Sequence, residues 1–314
     1  MKTAIIGSGF IGRAWAISFA RAGHAVHLWD RDSEAGRRAC GYIAGVLFDL
    51  QHNDLLNGQT PDIVLGRIAV ADNLEDAVAE ADHVQENTPE VLDTKIEIFK
   101  RLDAVVAPSA VVASSTSALL PSAFTESLKH RARCLVVHPI NPPYLVPAAE
   151  VVPAPWTSAE TVERTRAFLV SAGHAPLVMK RELDGFIMNR MQGALLEEAF
   201  RLVAEGYASV EDVDTGIREG LALRWSFMGP FETIDLNAPG GVRDYAERYQ
   251  KIYERIFAQV QHRVDWAGAV MDRVEAERRA RLPADALQDR QVWRDRRLMA
   301  LAAHKKKAAE EFEE

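Results

Sequence analysis

Short apolar runs alternate with segments of helical spacing through roughly the first 180 residues of this 314-residue chain. Lys2–Gly7 (KTAIIG), Ala25–Asp30 (AVHLWD), His83–Glu86 (HVQE), Val111–Ser114 (VVAS) and Cys134–His138 (CLVVH) are brief, rich in β-branched or large apolar side chains, and read as strands. Leu177–Lys180 is a further candidate. Between them, Ile11–Ala22 and Thr94–Leu102 carry apolar residues at the three- and four-residue spacing of a helix with one buried face. This alternation is the signature of β-α-β units and a mostly parallel sheet. Asn57–Asp62 (NGQTPD) reads as a turn-rich loop.

From about Asp184 the pattern changes. Phe186–Glu205 reads as one long helix, and Val242–Asp265 and Gly268–Ala280 keep helical spacing with few strand signals. The expectation is therefore an α/β domain over residues 1–183 and an all-helical domain over 184–314. The last ten residues, KKKAAEEFEE, read as a frayed, solvated helix. Apolar positions such as Leu195, Leu196, Phe200 and Leu202 make a homodimer through the C-terminal helices the expected assembly, although the same residues suit a monomer core.

Composition narrows the class further. Hydrophobic residues make up 48% and charged residues 26%, ordinary for a globular protein. No apolar run is long enough to cross a bilayer, and MKTAIIGSGF is too short and too glycine-broken for a signal peptide, so the protein is expected in the cytoplasm. A net charge of −8 argues against a nucleic-acid footprint. Cys40 and Cys134 build no disulfide framework and have no metal-ligand spacing; Cys134, in RCLVVHP, reads as a small buried side chain. No metal is expected.

Gly7-x-Gly9-x-x-Gly12 follows the first strand and opens a helix. Gly7 permits a tight turn, Gly9 lets the backbone approach a pyrophosphate, and Gly12 lets helix and strand pack closely. Free N–H groups and the helix dipole then stabilise phosphate charge. Asp30 ends the second strand 18 residues after Gly12, where a carboxylate accepts from ribose hydroxyls and repels a 2′-phosphate. A Rossmann-type domain binding NAD rather than NADP is the reading, with Arg31 as the one counterweight. A glycine turn in a non-binding α/β domain, with Asp30 as a strand-end cap, is the alternative.

His138 falls at the carboxyl end of a strand, where ligands gather in open parallel sheets. Glu150 follows 12 residues later. A histidine with a carboxylate partner suits proton transfer from a hydroxyl while hydride leaves carbon, the carboxylate fixing the imidazole tautomer. Spacing alone gives the pair no specificity.

The segments STSALL (115–120), HPINPPYLVPAAE (138–150), DGFIMNR (184–190) and GLALRWSFMGPFETID (220–235) resemble the 3-hydroxyacyl-CoA dehydrogenase superfamily, and within it the lambda-crystallin, or L-gulonate 3-dehydrogenase, branch. The likeness runs in order through nearly the whole chain to about residue 300. It implies a general base at His138 oriented by Glu150, with Ser117 contacting the reacting oxygen and Asn189 helping to hold it. It also implies that Glu90 and Lys95 line the nicotinamide-ribose side of the cofactor pocket, and that Arg224 occupies an arginine position of the branch. A guanidinium there can clamp a free carboxylate with two parallel hydrogen bonds. Read from the residues alone, Ser117 also fits a helix cap, Asn189 a buried amide, Glu90 and Lys95 solvated helix-start charges, and Arg224 a surface ion pair.

Residues 39–66 contain no Lys or Arg, which disfavours a coenzyme A phosphate site in that helical region. The expected substrate is a small anionic L-3-hydroxy acid such as L-gulonate. L-carnitine-type acids and short L-3-hydroxyacyl-CoA thioesters follow in that order, and a non-catalytic, crystallin-like NAD-binding protein is the reading from another class.

Overall fold

In a computed structural model, the protein is described over residues 1–260 and 264–312. One eight-stranded sheet dominates. Its strands are β1 (Lys2–Ile6), β2 (Ala25–Trp29), β3 (Ile68–Val70), β4 (His83–Glu86), β5 (Val111–Ser114), β6 (Cys134–Pro139), β7 (Ala148–Pro153) and β8 (Ala175–Val178). Their order across the sheet is β3-β2-β1-β4-β5-β6-β7-β8. Every neighbouring pair is parallel except β6 and β7. The five strands read from apolar runs are all present. β8 lies two residues earlier than expected, and β3 and β7 were not foreseen. β7 (AAEVVP) escapes a pattern search because a carboxylate sits in the middle of a strand buried on both faces.

Helices cover both faces. On one, the Phe10–Arg21 and Ser33–His52 helices bury Trp15, Phe19, Ile43, Leu47 and Leu50 against the sheet. On the other, Leu74, Val78, Phe99, Leu102 and Phe124 do the same. Each fully buried Phe or Leu of this kind contributes roughly 1.5–3 kcal/mol. The NGQTPD turn is tighter than expected: Asn57 and Gly58 take positive φ, but Pro61 already starts a short helix, Pro61–Leu65.

The chain divides into two compact units, Met1–Ile187 with Gln291–Glu314, and Met188–Arg290. The expected single break near residue 183 thus moves to 187/188, and the C-terminal segment belongs with the first unit. The reason is packing within that unit. Met299 of the Leu287–Phe312 helix is buried in the same core as Leu50, its sulfur 4.0 Å from Asn53 Nδ2, Lys306 pairs with Asp54 at 2.9 Å, and Arg296 approaches Asp49 at 3.5 Å. The tail is therefore helical to Phe312, its last two residues lying outside the described set.

Among its described residues the second unit holds helices and no strand, beginning with Met188–Ala204 and including Gly241–Val260 and Ala269–Arg281. The expected helix over 242–265 is present to Val260, and residues 261–263 lie outside the described set. Val203, Val210 and Val270 form a small core, flanked by Phe200, which stacks on Trp266 at 4.9 Å. No helix among the described residues is long and apolar enough to cross a membrane, and no acid, His or Cys cluster among them is arranged to hold a metal.

Candidate active site

The strand ends build the site. Beyond each ladder the chain stays tied to its neighbour: Gly7 N–H donates to Trp29 O (2.8 Å), Asn87 N–H to Ile6 O (2.7 Å) and Ser115 N–H to Glu86 O (2.8 Å). Strand order reverses between β1 and β4, which opens a crevice at their carboxyl ends. Gly7 turns there with φ +91°, and a Cβ on Gly12 would stand 1.9 Å from the Gly7 carbonyl oxygen, so neither tolerates a side chain. A Cβ on Gly9 would meet nothing within 4 Å, so this backbone faces open space. The helix that starts at Phe10 has neither a side-chain cap nor an acid in its first turn, leaving its N–H groups for an anion.

A cleft of about 790 Å³ opens at this point between Gly7, Gly9, the Trp29–Asp32 segment, Asn87 and Thr94. Asp30 sits on its wall and also closes the glycine loop. Its Oδ2 accepts from Ser8 N–H (2.7 Å) and Ser8 Oγ–H (3.0 Å), and Oδ1 from Asp32 N–H (3.1 Å). A carboxylate has about four acceptor positions, so one remains for a ribose hydroxyl. Arg37 and Arg38 are paired with Glu34 and Asp32, whereas Arg31 has no carboxylate within ion-pair distance among the described residues. These features fit NAD: an open glycine backbone for the pyrophosphate and a carboxylate at the adenosine ribose.

Lys95 does something other than line that cleft. It is 1% exposed, and its ammonium spends all three donors inside the protein, on Glu86 Oε1 and Oε2 (2.9 Å each) and Thr88 O (3.0 Å). Glu86 in turn accepts from Thr88 N–H and Oγ–H (2.5 Å each) and from Ser114 Oγ–H (2.6 Å). This buried cluster fixes the β4 exit. The reading of Lys95 as a pocket-lining or solvated charge is corrected, because the nearest unsatisfied anion is beneath it. Glu90 is exposed, and its Oε1 collects Thr116 Oγ–H (2.5 Å), Ser117 N–H (3.0 Å) and Ala118 N–H (3.0 Å). Partial burial opposes its ionisation, but the Thr116 hydroxyl, these N–H groups and the Lys95 charge hold its pKa below the usual value. Glu90 therefore clamps the loop that carries Ser117.

Sequence reasoning missed a polar network beneath these loops. Trp15 Nε1–H and Gln85 Nε2–H donate to Ser115 Oγ (3.0 and 2.7 Å), which donates to Asn87 Oδ1 (2.7 Å). Gln85 also reaches Val137 O, adjacent to His138, at 3.3 Å. The available signal was Gln85 and Glu86 ending a run buried at every position, since buried polar groups must find partners.

β6 and β7 pair antiparallel with His138 directly opposite Glu150. Directly opposed residues point to the same face, so the register explains a separation of 12 that spacing alone left unexplained. His138 Nδ1 lies 2.6 Å from Glu150 Oε2, with Glu150 fully buried and His138 nearly so. Glu150 Oε1 accepts from Ile187 N–H at 2.6 Å. That N–H is aimed by a bend in which Gly185 and Phe186 both take positive φ (73° and 48°), a strained backbone for Phe186, whose buried ring lies 5.6 Å from the imidazole. A carboxylate on Nδ1 assigns the proton there and leaves Nε2 as the acceptor.

Ser117 leaves β5 exposed. The β5–β6 ladder ends where Ser114 pairs with Val136, and Ser117 lies in the loop that follows, held by Glu90. Asn189 and Arg224 belong to the second unit, on the Met188–Ala204 and Ala222–Trp225 helices. Among the described residues no carboxylate lies within ion-pair distance of Arg224. Cys134 is buried, its thiol pushed up to about 12 by desolvation, as a packing residue would be.

Comparison with known proteins identifies the family. Residues 2–182 match the family model for the 3-hydroxyacyl-CoA dehydrogenase NAD binding domain, and residues 185–281 the model for its C-terminal domain. Lambda-crystallin of Oryctolagus cuniculus is 39% identical over 305 residues, spanning 96% of this chain and 95% of its own. L-carnitine dehydrogenase of Streptomyces coelicolor is 39% identical over 249 residues, 79% of this chain and 77% of its own. Among solved structures, 5-formyl-3-hydroxy-2-methylpyridine 4-carboxylic acid 5-dehydrogenase, an NAD+-dependent dismutase, superposes with a TM-score of 0.82 at 27% identity, covering 96% of both chains.

Proposed function

The chain belongs to the 3-hydroxyacyl-CoA dehydrogenase family, and we propose that it oxidises the 3-hydroxyl of a small L-3-hydroxy acid of the L-gulonate type. As a member of that family it is an NAD-dependent oxidoreductase. NAD, when bound at the glycine loop, supplies the acceptor for two electrons and the hydrogen on carbon. The rest of the work falls to side chains. His138 Nε2 takes the hydroxyl proton, and Glu150 stabilises the imidazolium that results. Ser117 and Asn189 hold the reacting oxygen, and Arg224 anchors the carboxylate. The observation that carries the reading is the β6–β7 register, which makes His138 and Glu150 a buried pair at the carboxyl edge of the sheet.

The choice of a free acid rests on the lambda-crystallin likeness and on the absence of Lys and Arg from residues 39–66. L-carnitine, also a free 3-hydroxy acid, is the second reading, favoured by the likeness to L-carnitine dehydrogenase. Leu195, Leu196, Tyr249, Ile252 and Phe257, exposed on the second unit, support a homodimer through these helices. The test is NADH formation across L-gulonate, L-carnitine, L-3-hydroxybutyrate and 3-hydroxybutyryl-CoA. L-gulonate should lead in kcat/KM, and His138→Ala should lower its kcat about a hundredfold to ten-thousandfold while NADH still binds. A protein inert towards the whole panel, or one unaffected by loss of His138, would overturn the proposal.

A further inference from the structure

Gln85 is fully buried in β4, and its side-chain amide is committed at both ends. Oε1 lies 3.0 Å from His83 Nε2, and Nε2 donates to Ser115 Oγ (2.7 Å) and Val137 O (3.3 Å). A backbone carbonyl only accepts, so Val137 O fixes which end of the amide faces it. His83 is then the donor in the other bond, as a neutral imidazole, which burial favours by lowering its pKa to about 4. The β5–β6 ladder stops at Ser114 and Val136. Gln85 thus extends the tie by one residue, to the peptide that leads into His138.

Ser115 is fixed in the same way. Its Oγ receives Trp15 Nε1–H (3.0 Å), and an indole can only donate. With Gln85 Nε2–H also arriving, the one hydroxyl hydrogen goes to Asn87 Oδ1 (2.7 Å). Asn87 Nδ2 is left to donate to Gln85 O (2.8 Å) and Ile6 O (3.4 Å). Asn87 lines the cofactor cleft, and its carbonyl oxygen stands against the glycine turn, where a Cβ on Gly7 would come within 2.8 Å of it. Every link in this network has one possible sense. Together they tie three parts of the site: the helix behind the glycine loop through Trp15, the cleft wall at Asn87, and the β6 exit at Val137.

We propose that Gln85 and Ser115 are positioning residues, holding the cofactor wall at Asn87 and the base at His138 in one fixed relation. The assignment rests on the reading of His138 as the base. Hydride and proton leave adjacent atoms of one substrate, so cofactor and imidazole must be placed together, and a misplacement of about 1 Å costs roughly a hundredfold in rate. Both residues spend these bonds on protein groups, so their loss should lower turnover while leaving cofactor affinity nearly intact.

Gln85→Glu keeps the shape and breaks the sense of the network: a carboxylate cannot donate to Val137 O, and it draws the Ser115 hydrogen away from Asn87. Ser115→Ala deletes the junction at a partly exposed position, and Ser115→Thr keeps the hydroxyl. The experiment measures kcat and KM with L-gulonate, fluorescence titration of NADH, and the His138 Nδ1–H magnetic resonance signal in NADH-saturated protein carrying isotope-labelled histidine. That signal is identified by its loss in His138→Ala. Gln85→Glu and Ser115→Ala should each lower kcat about tenfold to a hundredfold and shift the His138 signal, with NADH affinity within about threefold. Ser115→Thr should restore kcat to within about fivefold of wild type. A kcat within about threefold of wild type in folded Gln85→Glu, or an unmoved His138 signal, would make the network merely structural and overturn the proposal. NADH weakened more than about tenfold with kcat unchanged would also overturn it, making these residues cofactor-binding ones. Should Gln85→Glu fail to fold, Ser115→Ala decides by the same outcomes. A wild type inert towards the whole panel, with a His138 signal that still moves in the variants, would refute the dehydrogenase reading alone and leave the positioning of His138 standing.

Discussion

Glu150→Gln changes almost no volume and breaks a matched arrangement. Glu150 presents an acceptor oxygen to each of two donors, His138 Nδ1 and the Ile187 N–H, both at 2.6 Å. A glutamine amide has one acceptor end and one donor end. With its oxygen on His138, its NH₂ opposes the Ile187 N–H, leaving a buried donor unpaired at a cost of about 1–3 kcal/mol. With its oxygen on Ile187, its NH₂ meets Nδ1, and the imidazole answers by moving its proton to Nε2. The backbone N–H cannot move its proton and the imidazole can, so the second arrangement wins. Nε2 then carries hydrogen and has no lone pair for the substrate hydroxyl. The expected loss in kcat is about a hundredfold to ten-thousandfold, or roughly 3–5 kcal/mol of barrier, comparable to removing His138 itself. NADH affinity should stay within about twofold. Steady-state NADH formation at saturating acid and NAD measures the first, and fluorescence titration the second. A Glu150→Gln enzyme within about threefold of wild-type kcat would refute the tautomer argument and with it the role of the pair.

Asp30→Ala removes both the anchor of the Ser8 loop and the carboxylate at the ribose, so NADH should bind at least about tenfold more weakly and the preference for NAD over NADP should shrink; an unchanged preference ratio would contradict this. Arg224→Met should cost roughly 2–4 kcal/mol in kcat/KM for a free acid and almost nothing for a 3-hydroxyacyl-CoA, and equal losses would remove Arg224 as the anchor. Burial lowers the pKa of His83 and of His174 from 6.5 to about 4. Their folded pKa lies below the unfolded one, so the stability each contributes is full above pH 6.5 and is lost as pH falls towards 4, by up to about 3 kcal/mol each. Urea unfolding of wild type and His174→Gln at pH 7 and pH 4.5 should show a smaller difference for the variant, and identical differences would exclude the histidine as the source.

Much of this protein is written locally. Gly7 and Gly12 announce the first turn because no other residue tolerates φ +91° at the one or a carbonyl at 1.9 Å from a Cβ at the other, and that demand is visible in two letters of sequence. β1, β5 and β6 are legible because strands buried on both faces are nearly unbroken apolar runs, whereas the short, largely exposed β3 is not. Resemblance, which reads several local segments at once, supplied His138, Glu150 and the family. The partners of those residues belong to the tertiary structure. Whether Lys95 faces a ligand or Glu86 depends on which anion the fold brings beneath its helix, and composition leaves that open. The opposition of His138 to Glu150 is set by the register of a strand that pattern reading did not find. The C-terminal segment counts with the first unit because Met299 found a place in that core, a contact across some 250 residues that no period of three or two can encode. Local propensity and periodicity fix what each segment can become, since they depend on neighbours along the chain. Pairing of buried charges and strand register depend on neighbours in space, and only the closed fold chooses those.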